Sequence, residues 1–406
     1  MLRYVQAYHF QNKKALIRVD FNVPLDDCGG VVDDSRIQGA IPTIRQVLDK
    51  GGAVVLLSHL GRPQQGYEER FSLRHLIAPL SQAIGVSVKF APSCVGADTQ
   101  IKVQQLAPGE VLLLENVRFQ PGETQGDPDL ARALAAWGDV YINDAFGTAH
   151  RTHASTVMIA QYFKDRLVGC LMQEELRSAD TFLQGAKRPW VAMIGGAKIS
   201  DKMKPLERLL DCVDALLLGG GVANTFQKAL GGQLGASLVE HDQVEHAQQL
   251  AYQALQKSVR LVLPADVVVA PRLAAGAEQR VVVGGAVPAG WLALDIGPKA
   301  QEEFAAIVRA AQTMLWFGPM GVSEMPGFQQ GTQTVASAVA QATRQGAFSL
   351  IGGGDSAAAI RSWGYTDQVS HLSTGGGALL AYLGGTALPG VQALESSSAS
   401  CRCCHT

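Results

Sequence analysis

Residues 348–360 read FSLIGGGDSAAAI, and the rest of the chain can be interpreted from this pattern. Phe348–Ile351 is an apolar run of strand length, Gly352–Gly354 follows it directly, and Asp355 begins an alanine-rich segment of helical character. A buried strand, a glycine turn and a helix in that order form one βα unit of a parallel sheet. Ligands bind beyond the carboxyl ends of such strands, so the glycines also indicate a ligand site.

The same alternation recurs along the chain. Continuous apolar runs, typical of strands buried on both faces, alternate with amphipathic segments of helical length. The predicted strands are Ala15–Val19, Ala53–Leu57, Val111–Leu114, Val140–Ile142, Val191–Ile194, Ala215–Leu218, Leu261–Leu263, Met314–Trp316, Phe348–Ile351 and Val369–Leu372. The predicted helices include Ile41–Lys50, Pro128–Trp137, Asp201–Leu210, Ala300–Ala311 and Thr332–Arg344, and Thr156–Ala186 is predicted as a helical connector. One sheet with all these strands would be unusually wide, so we predict an α/β protein with largely parallel sheets in two domains.

The composition excludes several classes of protein. The 406 residues are 47% hydrophobic with a net charge of −2, so neither a disordered chain nor a general binder of nucleic acid or membrane surfaces is expected. No apolar run reaches the roughly 18 residues of a membrane span, and Met1–Val19 lacks the features of a signal peptide. The odd total of seven cysteines argues against a disulfide framework and favours a reducing, cytoplasmic compartment.

Glycine clusters follow further predicted strands in the second half. They are Gly195-Gly196, Gly219–Gly221, Gly352–Gly354 and Gly375–Gly377. Any single cluster could be only a tight turn. All four together favour backbone amides that approach a phosphate, with helix N-termini adding partial positive charge. Asp355 could hold Mg²⁺ on the phosphates of a nucleotide.

Two known nucleotide-binding motifs help to identify the kind of nucleotide site. Gly352-x-Gly354-x-x-Ala357 formally matches the dinucleotide fingerprint, which leaves an NAD-dependent dehydrogenase as an alternative. The match lies late in the chain, however, and lacks the acidic residue expected about 20 residues further on. The sequence contains no G-K-[ST] and therefore no P-loop. We predict a mononucleotide site of another kind.

Basic side chains follow the predicted strands of the first half. Arg36, His59, Arg62, Arg118, His150, Arg151 and His153 lie at strand ends or in the loops beyond them. A single arginine is usually a solvated surface charge, but a group of them forms a basic cleft for a small, highly anionic molecule. Asp20 and Asn22 could bind hydroxyl groups of that molecule or orient the arginines. No zinc site is predicted, because no cysteine stands near these histidines.

Segments in both halves resemble the phosphoglycerate kinase family, in the same order. In the first half they are Arg18–Pro24 (RVDFNVP), Ser58–Pro63 (SHLGRP), Leu114–Phe119 (LENVRF) and Asn143–Arg151 (NDAFGTAHR). In the second half they are Gly195–Lys202 (GGAKISDK), Gly219–Gly221, Asp295–Lys299 (DIGPK), Gly318–Val322 (GPMGV), Gly352–Ser356 (GGGDS) and Ser373–Gly377 (STGGG). The resemblance extends from about Ala15 to Leu394, nearly the whole chain.

The resemblance implies two Rossmann-like domains with parallel sheets, joined by a helical hinge. The implied ranges are 1–168 for a phosphoglycerate-binding domain, 169–188 for the hinge, 189–377 for a nucleotide-binding domain and 378–394 for a segment that returns to the first domain. The substrates would be 3-phosphoglycerate or 1,3-bisphosphoglycerate and ATP or ADP with Mg²⁺. The protein would be a cytoplasmic monomer without nucleic-acid or membrane partners.

Matched motif by motif, the resemblance also assigns site residues. The glycerate substrate would contact Asp20, Phe21, Asn22, Arg36, His59, Leu60, Gly61, Arg62, Arg118 and Arg151. The nucleotide would contact Lys198, Lys202, Gly219, Gly220, Glu324, Gly352, Gly353, Gly354, Asp355 and Ser356, with Asp355 also at the metal. Arg36, Lys198, Gly354 and Gly376 would act on the transferring phosphoryl group.

The implied reaction is reversible phosphoryl transfer between 1,3-bisphosphoglycerate and MgADP, giving 3-phosphoglycerate and MgATP. In the direction of ATP use the nucleophile is a carboxylate, which with a pKa of about 4 is ionised at neutral pH and needs no general base. The sequence shows no obvious histidine–carboxylate pair, in agreement with this. Alignment, charge neutralisation and closure of the two domains would supply the catalysis.

Three positions depart from the pattern of the family. Phe317 stands where the family usually has Asn, Ser323 where it usually has Phe, and Ala236 where it often has Lys. Phe cannot form the hydrogen bonds that the side chain of Asn would offer to a nucleotide. The alternative hypothesis is therefore that the chain is a catalytically weakened relative that binds nucleotide. If Phe317 and Ser323 compensate for each other, restoring both family residues should leave the nucleotide KM unchanged.

The C-terminal residues 395–406, ESSSASCRCCHT, show neither a helical nor a strand pattern. They are predicted to form a disordered tail. Cys401, Cys403, Cys404 and His405 are of metal-ligand type, but an incidental cluster is favoured over a metal site.

Overall fold

The computed structural model describes residues 1–64 and 66–395, so the Cys-rich cluster and almost all of the predicted tail lie outside the described residues. The contacts divide the chain into two units. One is Met1–Leu176 together with residues 387–395, and the other is Arg177–Thr386. Within the described ranges, no helix is both long and apolar enough to cross a membrane.

The first unit is built on a six-stranded parallel sheet. Its strands are β1 (Lys14–Arg18), β2 (Ala53–Leu57), β3 (Val88–Ala91), β4 (Val111–Leu114), β5 (Val140–Asn143) and β6 (Arg166–Val168). They lie in the order β3-β4-β2-β1-β5-β6. Every residue of β2, β4 and β5 is buried, as expected for apolar strands in the middle of a sheet that is covered on both faces.

Four helices connect strands of this sheet. They are α1 (Ser35–Leu48), α2 (Ile77–Ile84), α3 (Ala97–Gln104) and α4 (Pro128–Ala135). A further helix, α5 (Cys170–Gln184), follows β6 and contains the boundary between the two units. Local sequence explains several helix ends. Asp127 caps α4 by accepting a hydrogen bond from Asp129 N at 2.8 Å, and Pro128 occupies the first position, where it has no amide to leave unpaired.

The second unit contains a second six-stranded parallel sheet and two smaller sheets. Its strands are β7 (Trp190–Ile194), β8 (Ala215–Leu218), β9 (Gln233–Leu234), β10 (Arg260–Val262), β11 (Asp266–Ala270), β12 (Arg280–Val283), β13 (Ala286–Val287), β14 (Leu292–Ile296), β15 (Thr313–Phe317), β16 (Phe348–Gly352) and β17 (His371–Leu372). The large sheet has the order β10-β8-β7-β15-β16-β17. The predicted α/β class with parallel sheets in two units is confirmed.

The helices of this unit are α6 (Met203–Leu209), α7 (Gly220–Ala229), α8 (Val244–Gln256), α9 (Pro298–Ala310), α10 (Gln330–Arg344), α11 (Gly354–Ser362) and α12 (Gly377–Leu383). Trp316 of β15 is fully buried in the core beside Phe304 of α9 and Val335 of α10. Burying large apolar side chains of this kind is the main favourable contribution to folding.

Several elements differ from the sequence prediction, and the largest differences concern the connector and a second kind of sheet. The connector does not begin at Thr156, because residues 158–162 form a short 3-10 helix, β6 follows, and α5 starts only at Cys170. An antiparallel sheet, β12-β11-β14, was not predicted at all. Its strands β11 and β12 contain the apolar runs Val267–Ala270 and Val281–Val283, which the prediction passed over, and β12 is mostly exposed at the edge of the sheet.

The chain returns to the first unit near its C-terminal end. In α13 (Pro389–Gln392), Gly390 N donates to Ala149 O at 2.8 Å. The return was predicted from Ala378, whereas residues up to Thr386 group with the second unit. The predicted hinge, residues 169–188, encloses α5, and its function as a hinge remains a prediction.

Candidate functional site

The predicted basic residues of the first unit lie at the carboxyl edge of its sheet. The loops after β1, β2, β4 and β5 carry Asp20, Asn22, His59, Arg62, Arg118 and Arg151. Arg36 lies in the first turn of α1. Because neighbouring parallel strands end at the same edge, loops that are far apart in the sequence come together there.

Asp20 and Arg36 form an ion pair at this edge. Arg36 Nη1 donates to Asp20 Oδ2, and Asp20 is only 6% exposed while the Arg36 side chain is 31% exposed. Burial by itself would raise the pKa of Asp20, but the positive charges of Arg36 and Arg18 outweigh it and hold the pKa below its ordinary value. Asp20 is therefore ionised at neutral pH and fixes one side of the Arg36 guanidinium.

His59 is a neutral side chain with a defined tautomer. Burial, together with nearby arginines, lowers its pKa well below the ordinary range. Its Nδ1 lies 3.2 Å from Arg18 Nη2, and a guanidinium can only donate, so Nδ1 must accept and the proton is on Nε2. His59 can therefore present an N–H donor from Nε2.

Two histidines lie near carboxylates, although neither pair is hydrogen-bonded. His59 Nδ1 is 3.8 Å from Asp20 Oδ1, and His153 Nδ1 is 3.8 Å from Glu123 Oε1. The members of each pair come from different loops at the sheet edge. Burial lowers the pKa of His153 to about 4, and His59 is shifted in the same direction, so neither pair supplies a strong base at neutral pH.

Three arginines line a cavity of about 650 Å³ in the first unit. They are Arg62, Arg118 and Arg151, and Gln64 and Thr124 contribute further polar groups. Arg118 Nη1 donates to Gly61 O. Burial, followed by the charges of Arg151 and Arg18, lowers the pKa of Arg118 to about 10. Three cations converge on one space, which favours a ligand with several negative charges.

Two polar atoms beside this cavity are buried without a hydrogen-bond partner among the described residues. They are Arg118 Nε and His150 Nδ1. Leaving a buried polar group unpaired costs about 1–3 kcal/mol, so such atoms are usually satisfied by a ligand or water. The second nitrogen of His150 faces Arg151 Nε at 3.2 Å. An anion would offer Arg118 the acceptor it lacks.

Not every predicted residue of this site presents its side chain. Phe21 is fully buried and Leu60 is 3% exposed, and both pack into the core of the first unit. They could contribute only backbone atoms to a site. Asn22 Oδ1 accepts from Gly61 N at 2.8 Å, so Asn22 ties together the loops after β1 and β2.

Sequence reasoning did not assign a role to the buried charges behind the arginines. Arg18 is fully buried, and its Nε donates to Ser155 Oγ at 2.9 Å. Ser155 Oγ in turn donates to Glu123 Oε1 at 2.6 Å. An arginine at the end of an otherwise apolar strand was an available signal, because a charged residue is buried only when it is paired.

In the second unit, several predicted glycines serve close packing between loops. A Cβ atom added to Gly195 would lie 2.0 Å from Pro319 O, and one added to Gly221 would lie 2.3 Å from Ala197 O. Gly220 has a φ of +58° and donates from its N to Met320 O at 2.9 Å. The loops after β7, β8 and β15 therefore touch backbone to backbone, which only glycine allows.

These packed loops form one wall of a cavity of about 290 Å³. The lining includes Gly196, Ala197, Gly220, Gly221, Asn224, Leu238, Leu292, Ala293, Leu294, Val322, Glu324 and Asp355. The cavity combines apolar side chains with the N-terminal residues of α7 and a few carboxylates. This mixture is typical of small-molecule sites.

The two predicted lysines differ in their surroundings. Lys202 is 9% exposed, and its Nζ donates to Lys198 O at 2.6 Å, whereas the side chain of Lys198 is exposed. Burial lowers the pKa of Lys202. Glu240, which sequence reasoning did not identify, accepts from Ser200 Oγ at 2.7 Å and from Ile199 N, and so holds the loop that carries both lysines.

The glycine motif after β16 leads into α11, as predicted. Gly354 and Asp355 are exposed at the helix start, and a Cβ added to Gly354 would meet nothing within 4 Å. Ser356 is buried, and its hydroxyl is occupied by Gly352 O and by Gly318 N at 3.2 Å. Ser356 can therefore offer a ligand only its backbone.

A Mg²⁺ ion carried by the nucleotide is compatible with these residues. Asp355 is an exposed carboxylate at the cavity of about 290 Å³, and within the described residues no group of three or more His, Cys, Asp or Glu could hold a metal by itself. One carboxylate together with phosphate oxygens is the usual arrangement for Mg²⁺.

Gly376 and Phe317 lie elsewhere in the second unit. Gly376 precedes α12 with a φ of +47°, and the space beside its Cα is open. Phe317 is 8% exposed, lies close to Gly352 and Gly353, and lines a different cavity of about 700 Å³ with Lys202 and Leu380. Compensation between Phe317 and Ser323 remains a prediction.

Comparison with known proteins gives a consistent result. The family model for phosphoglycerate kinase matches residues 5–386. The phosphoglycerate kinase of Chloroflexus aurantiacus is 50% identical over 97% of this chain and 98% of its own length. The cytosolic phosphoglycerate kinase of Triticum aestivum is 47% identical over 95% of this chain and 96% of its own length.

Solved structures agree with the sequence matches. The phosphoglycerate kinase of Coxiella burnetii is 39% identical with a TM-score of 0.84, covering 97% of this chain and 99% of its own. That of Pyrococcus horikoshii is 31% identical with a TM-score of 0.85, covering 97% of this chain and 98% of its own. Since the match extends over almost the whole length of both partners, and the motif residues lie at the two sheet edges, the chain belongs to the phosphoglycerate kinase family.

Proposed function

We propose that this chain transfers a phosphoryl group reversibly between 1,3-bisphosphoglycerate and MgADP, giving 3-phosphoglycerate and MgATP. Membership of the phosphoglycerate kinase family supports the phosphoryl transfer. The observation that carries the proposal is the convergence of Arg62, Arg118 and Arg151 on one cavity, with Arg118 Nε buried and unpaired. A phosphorylated glycerate carries several negative charges and would supply the missing acceptors.

The glycerate substrate would be held in the first unit. Arg62, Arg118 and Arg151 would bind its phosphate and carboxylate oxygens, and His59 would donate from Nε2. Asp20, ionised and tied to Arg36, would keep that guanidinium pointing in one direction. Phe21, Leu60 and Gly61 would contribute backbone groups only.

The nucleotide would be held in the second unit. Gly219, Gly220, Glu324 and residues 352–356 would surround it, with Lys198 and Lys202 near its phosphates. When bound with the nucleotide, Mg²⁺ on Asp355 would neutralise charge on the phosphate oxygens. Chelation of Mg²⁺ should therefore abolish turnover but leave the melting temperature of the ligand-free protein unchanged.

The reaction needs little covalent assistance from the protein. In the direction of ATP synthesis, an oxygen of the ADP β-phosphate attacks the phosphorus of the acyl phosphate. A new oxygen–phosphorus bond forms, and the bond between that phosphorus and the carboxylate oxygen of the glycerate breaks. The leaving group is a carboxylate, which departs without a proton at neutral pH. Arg36, Lys198 and the backbone amides at Gly354 and Gly376 would stabilise the charge on the transferring group.

The closing motion implied by the resemblance also remains a proposal. Each substrate is assigned to a different unit, and the resemblance implies that the units close to bring the reacting atoms together. Solution scattering with each substrate alone and with both would test this, and no compaction with both bound would contradict it. A cytoplasmic monomer is proposed as well, and the oligomeric state can be measured by light scattering.

The deciding experiment is a coupled assay. The purified chain is given 3-phosphoglycerate and MgATP, and an auxiliary dehydrogenase converts the 1,3-bisphosphoglycerate formed while oxidising NADH. Robust turnover is expected. If MgADP binds but no turnover occurs, the weakened-relative alternative suggested by Phe317 would replace the proposal, although no other observation favours that alternative.

A further inference from the structure

The loop between β15 and α10 is one wall of the nucleotide cavity. It runs from Gly318 to Gln329 without regular secondary structure, and its Val322 and Glu324 line the cavity. A loop of this length needs fixed ends if its side chains are to stay in place against a ligand.

Both ends of this loop meet one buried carboxylate, Asp295 in β14. Asp295 Oδ2 accepts from Gly331 N at 2.8 Å, in the first turn of α10 two residues after the loop ends. A Cβ added to Gly331 would lie 2.4 Å from Asp295 Oδ1, and one added to Gly321, near the loop start, would lie 2.2 Å from it. The two glycines therefore allow the backbone at both ends of the loop to approach the same carboxylate group.

Burial of the Asp295 carboxyl group at this position costs free energy of folding. The residue is 4% exposed, and burial raises its pKa to about 7, although Gly331 N and Ile296 N both donate to it. Burying a carboxyl group lowers stability unless its hydrogen bonds compensate. Its bonds go to backbone amides, so its contribution is to fix the course of the chain.

Two further bonds fasten the start of the same loop. Met320 N donates to Thr332 Oγ1 at 3.0 Å, and Val322 N donates to Leu294 O at 2.9 Å. Leu294, the residue before Asp295, is itself part of the cavity wall. The base of the loop and the β14 side of the cavity are thus one connected structure.

We propose that Asp295 is a positioning residue for the nucleotide. It does not line the cavity, and it acts by holding the base of the 318–329 loop so that Val322 and Glu324 stay against the nucleotide. This inference rests on the proposed function, because it takes the cavity to be the nucleotide site.

The test is Asp295→Asn. Asn keeps the shape of the side chain but replaces one accepting oxygen with an NH₂ group, so one of the two backbone amides loses its acceptor. We expect the KM for MgATP and the Kd for MgADP to rise about 10-fold, which corresponds to the net loss of one hydrogen bond. The KM for 3-phosphoglycerate should stay within about 2-fold of its wild-type value.

Asp266→Asn is the matched control. Asp266 is also buried, at 6% exposure, and its carboxylate accepts from Ala300 N at 2.8 Å and Lys299 N at 3.2 Å at the start of α9. It does not line the nucleotide cavity. Asp266→Asn should lower the melting temperature but leave both nucleotide constants unchanged. If Asp295→Asn behaves in the same way, the residue is structural only and the proposal is overturned.

Two additional variants keep the outcome clear. Thr332→Val, nearly isosteric, removes the acceptor of Met320 N, and it should also raise the nucleotide constants, which gives a second test if Asp295→Asn does not fold. Unchanged constants in Thr332→Val would then overturn the proposal. Glu324→Ala tests the site assignment separately. If it has no effect while Asp295→Asn does, Glu324 is misassigned and the positioning role of Asp295 stands.

MgADP binding also separates this inference from the kinase activity. The Kd is measured by calorimetry on the full chain and needs no turnover. A wild-type chain that binds MgADP but lacks activity would contradict the proposed function, while the effect of Asp295→Asn on the Kd would still decide the positioning role.

Discussion

At the scale of single residues, the role proposed for Arg36 on the transferring phosphoryl group can be tested directly. Arg36 is tied to the buried Asp20 on one side and is partly exposed on the other, so its free donors can reach a substrate. We expect Arg36→Ala to lower kcat at least about 100-fold, because a positioned charge on the transferring group is lost. Circular dichroism and thermal melting should show an intact fold.

Arg132→Ala is the control for this change. Arg132 is exposed on α4, where it pairs with Asp129, and an exposed pair of this kind contributes little to stability. Its removal should leave kcat unchanged. Near-normal turnover in Arg36→Ala would remove Arg36 from the catalytic group.

A second prediction at this scale concerns pH. Burial raises the pKa of Asp295 from 3.8 to about 7, so the folded protein keeps a proton that the unfolded chain releases. The unfolded state binds fewer protons over this interval, and stability must therefore fall as the pH rises from about 4 to about 7. Asp295→Asn does not titrate and escapes this loss.

The measurement is urea unfolding of both proteins at two pH values. The stability of Asp295→Asn relative to wild type should increase by about 3 kcal/mol between pH 5 and pH 8. Every other titrating group is common to the two proteins and cancels in the comparison. An equal difference at both pH values would show that Asp295 does not titrate in this range.

The sequence indicated which arginines line the cavity of the first unit, but not the buried groups behind them. Arg62, Arg118 and Arg151 follow strand ends, and a parallel sheet brings such positions together. The chain from Glu123 through Ser155 to Arg18 joins residues whose proximity depends on the packing of separate loops. No local pattern encodes that packing.

At the scale of elements, the start of α11 gives a prediction that separates folding from function. A Cβ added to Gly354 would meet no atom within 4 Å, and Ala is a better helix former than Gly by up to about 1 kcal/mol. Gly354→Ala should therefore melt at the wild-type temperature or above it. Its kcat should fall at least about 10-fold, because the new methyl group occupies the space proposed for the transferring group.

Gly221→Ala, in contrast to Gly354→Ala, should lower the stability of the fold. Its Cβ would lie 2.3 Å from Ala197 O, so the backbone of two loops must move apart. A loss of about 1–3 kcal/mol is expected, measured as a lower midpoint of urea unfolding.

Full turnover in Gly354→Ala would contradict the placement of phosphoryl groups at the start of α11.

Elements were predictable where burial is complete. β2 and β4 are apolar throughout and β5 is apolar up to Asn143, and all three were recognised almost to the residue. The edge strand β3, which contains an exposed lysine and is buried only at its two ends, was missed. The first helix was predicted to begin at Ile41, whereas α1 begins at Ser35 and includes Pro42.

At the scale of the whole molecule, the number of predicted strands indicated two sheets, because one sheet would be too wide. The membership of the C-terminal residues could not be derived in this way. The bond from Gly390 N to Ala149 O joins positions far apart in the sequence, and contacts of such range leave no periodic signal in either segment. The return to the first unit came only from the family resemblance.

The last prediction follows from the assignment of one substrate to each unit. A ligand stabilises the structure to which it binds, so it should slow hydrogen exchange in the loops that contact it. 3-Phosphoglycerate alone should protect the backbone around Asn22, Arg118 and Arg151. MgADP alone should protect residues 195–202, 219–221 and 318–331, with α8 as an internal reference that stays unchanged. Hydrogen exchange read by mass spectrometry resolves these segments. If MgADP protects the arginine loops as strongly as the glycine loops, the nucleotide does not bind where the glycine-lined cavity places it.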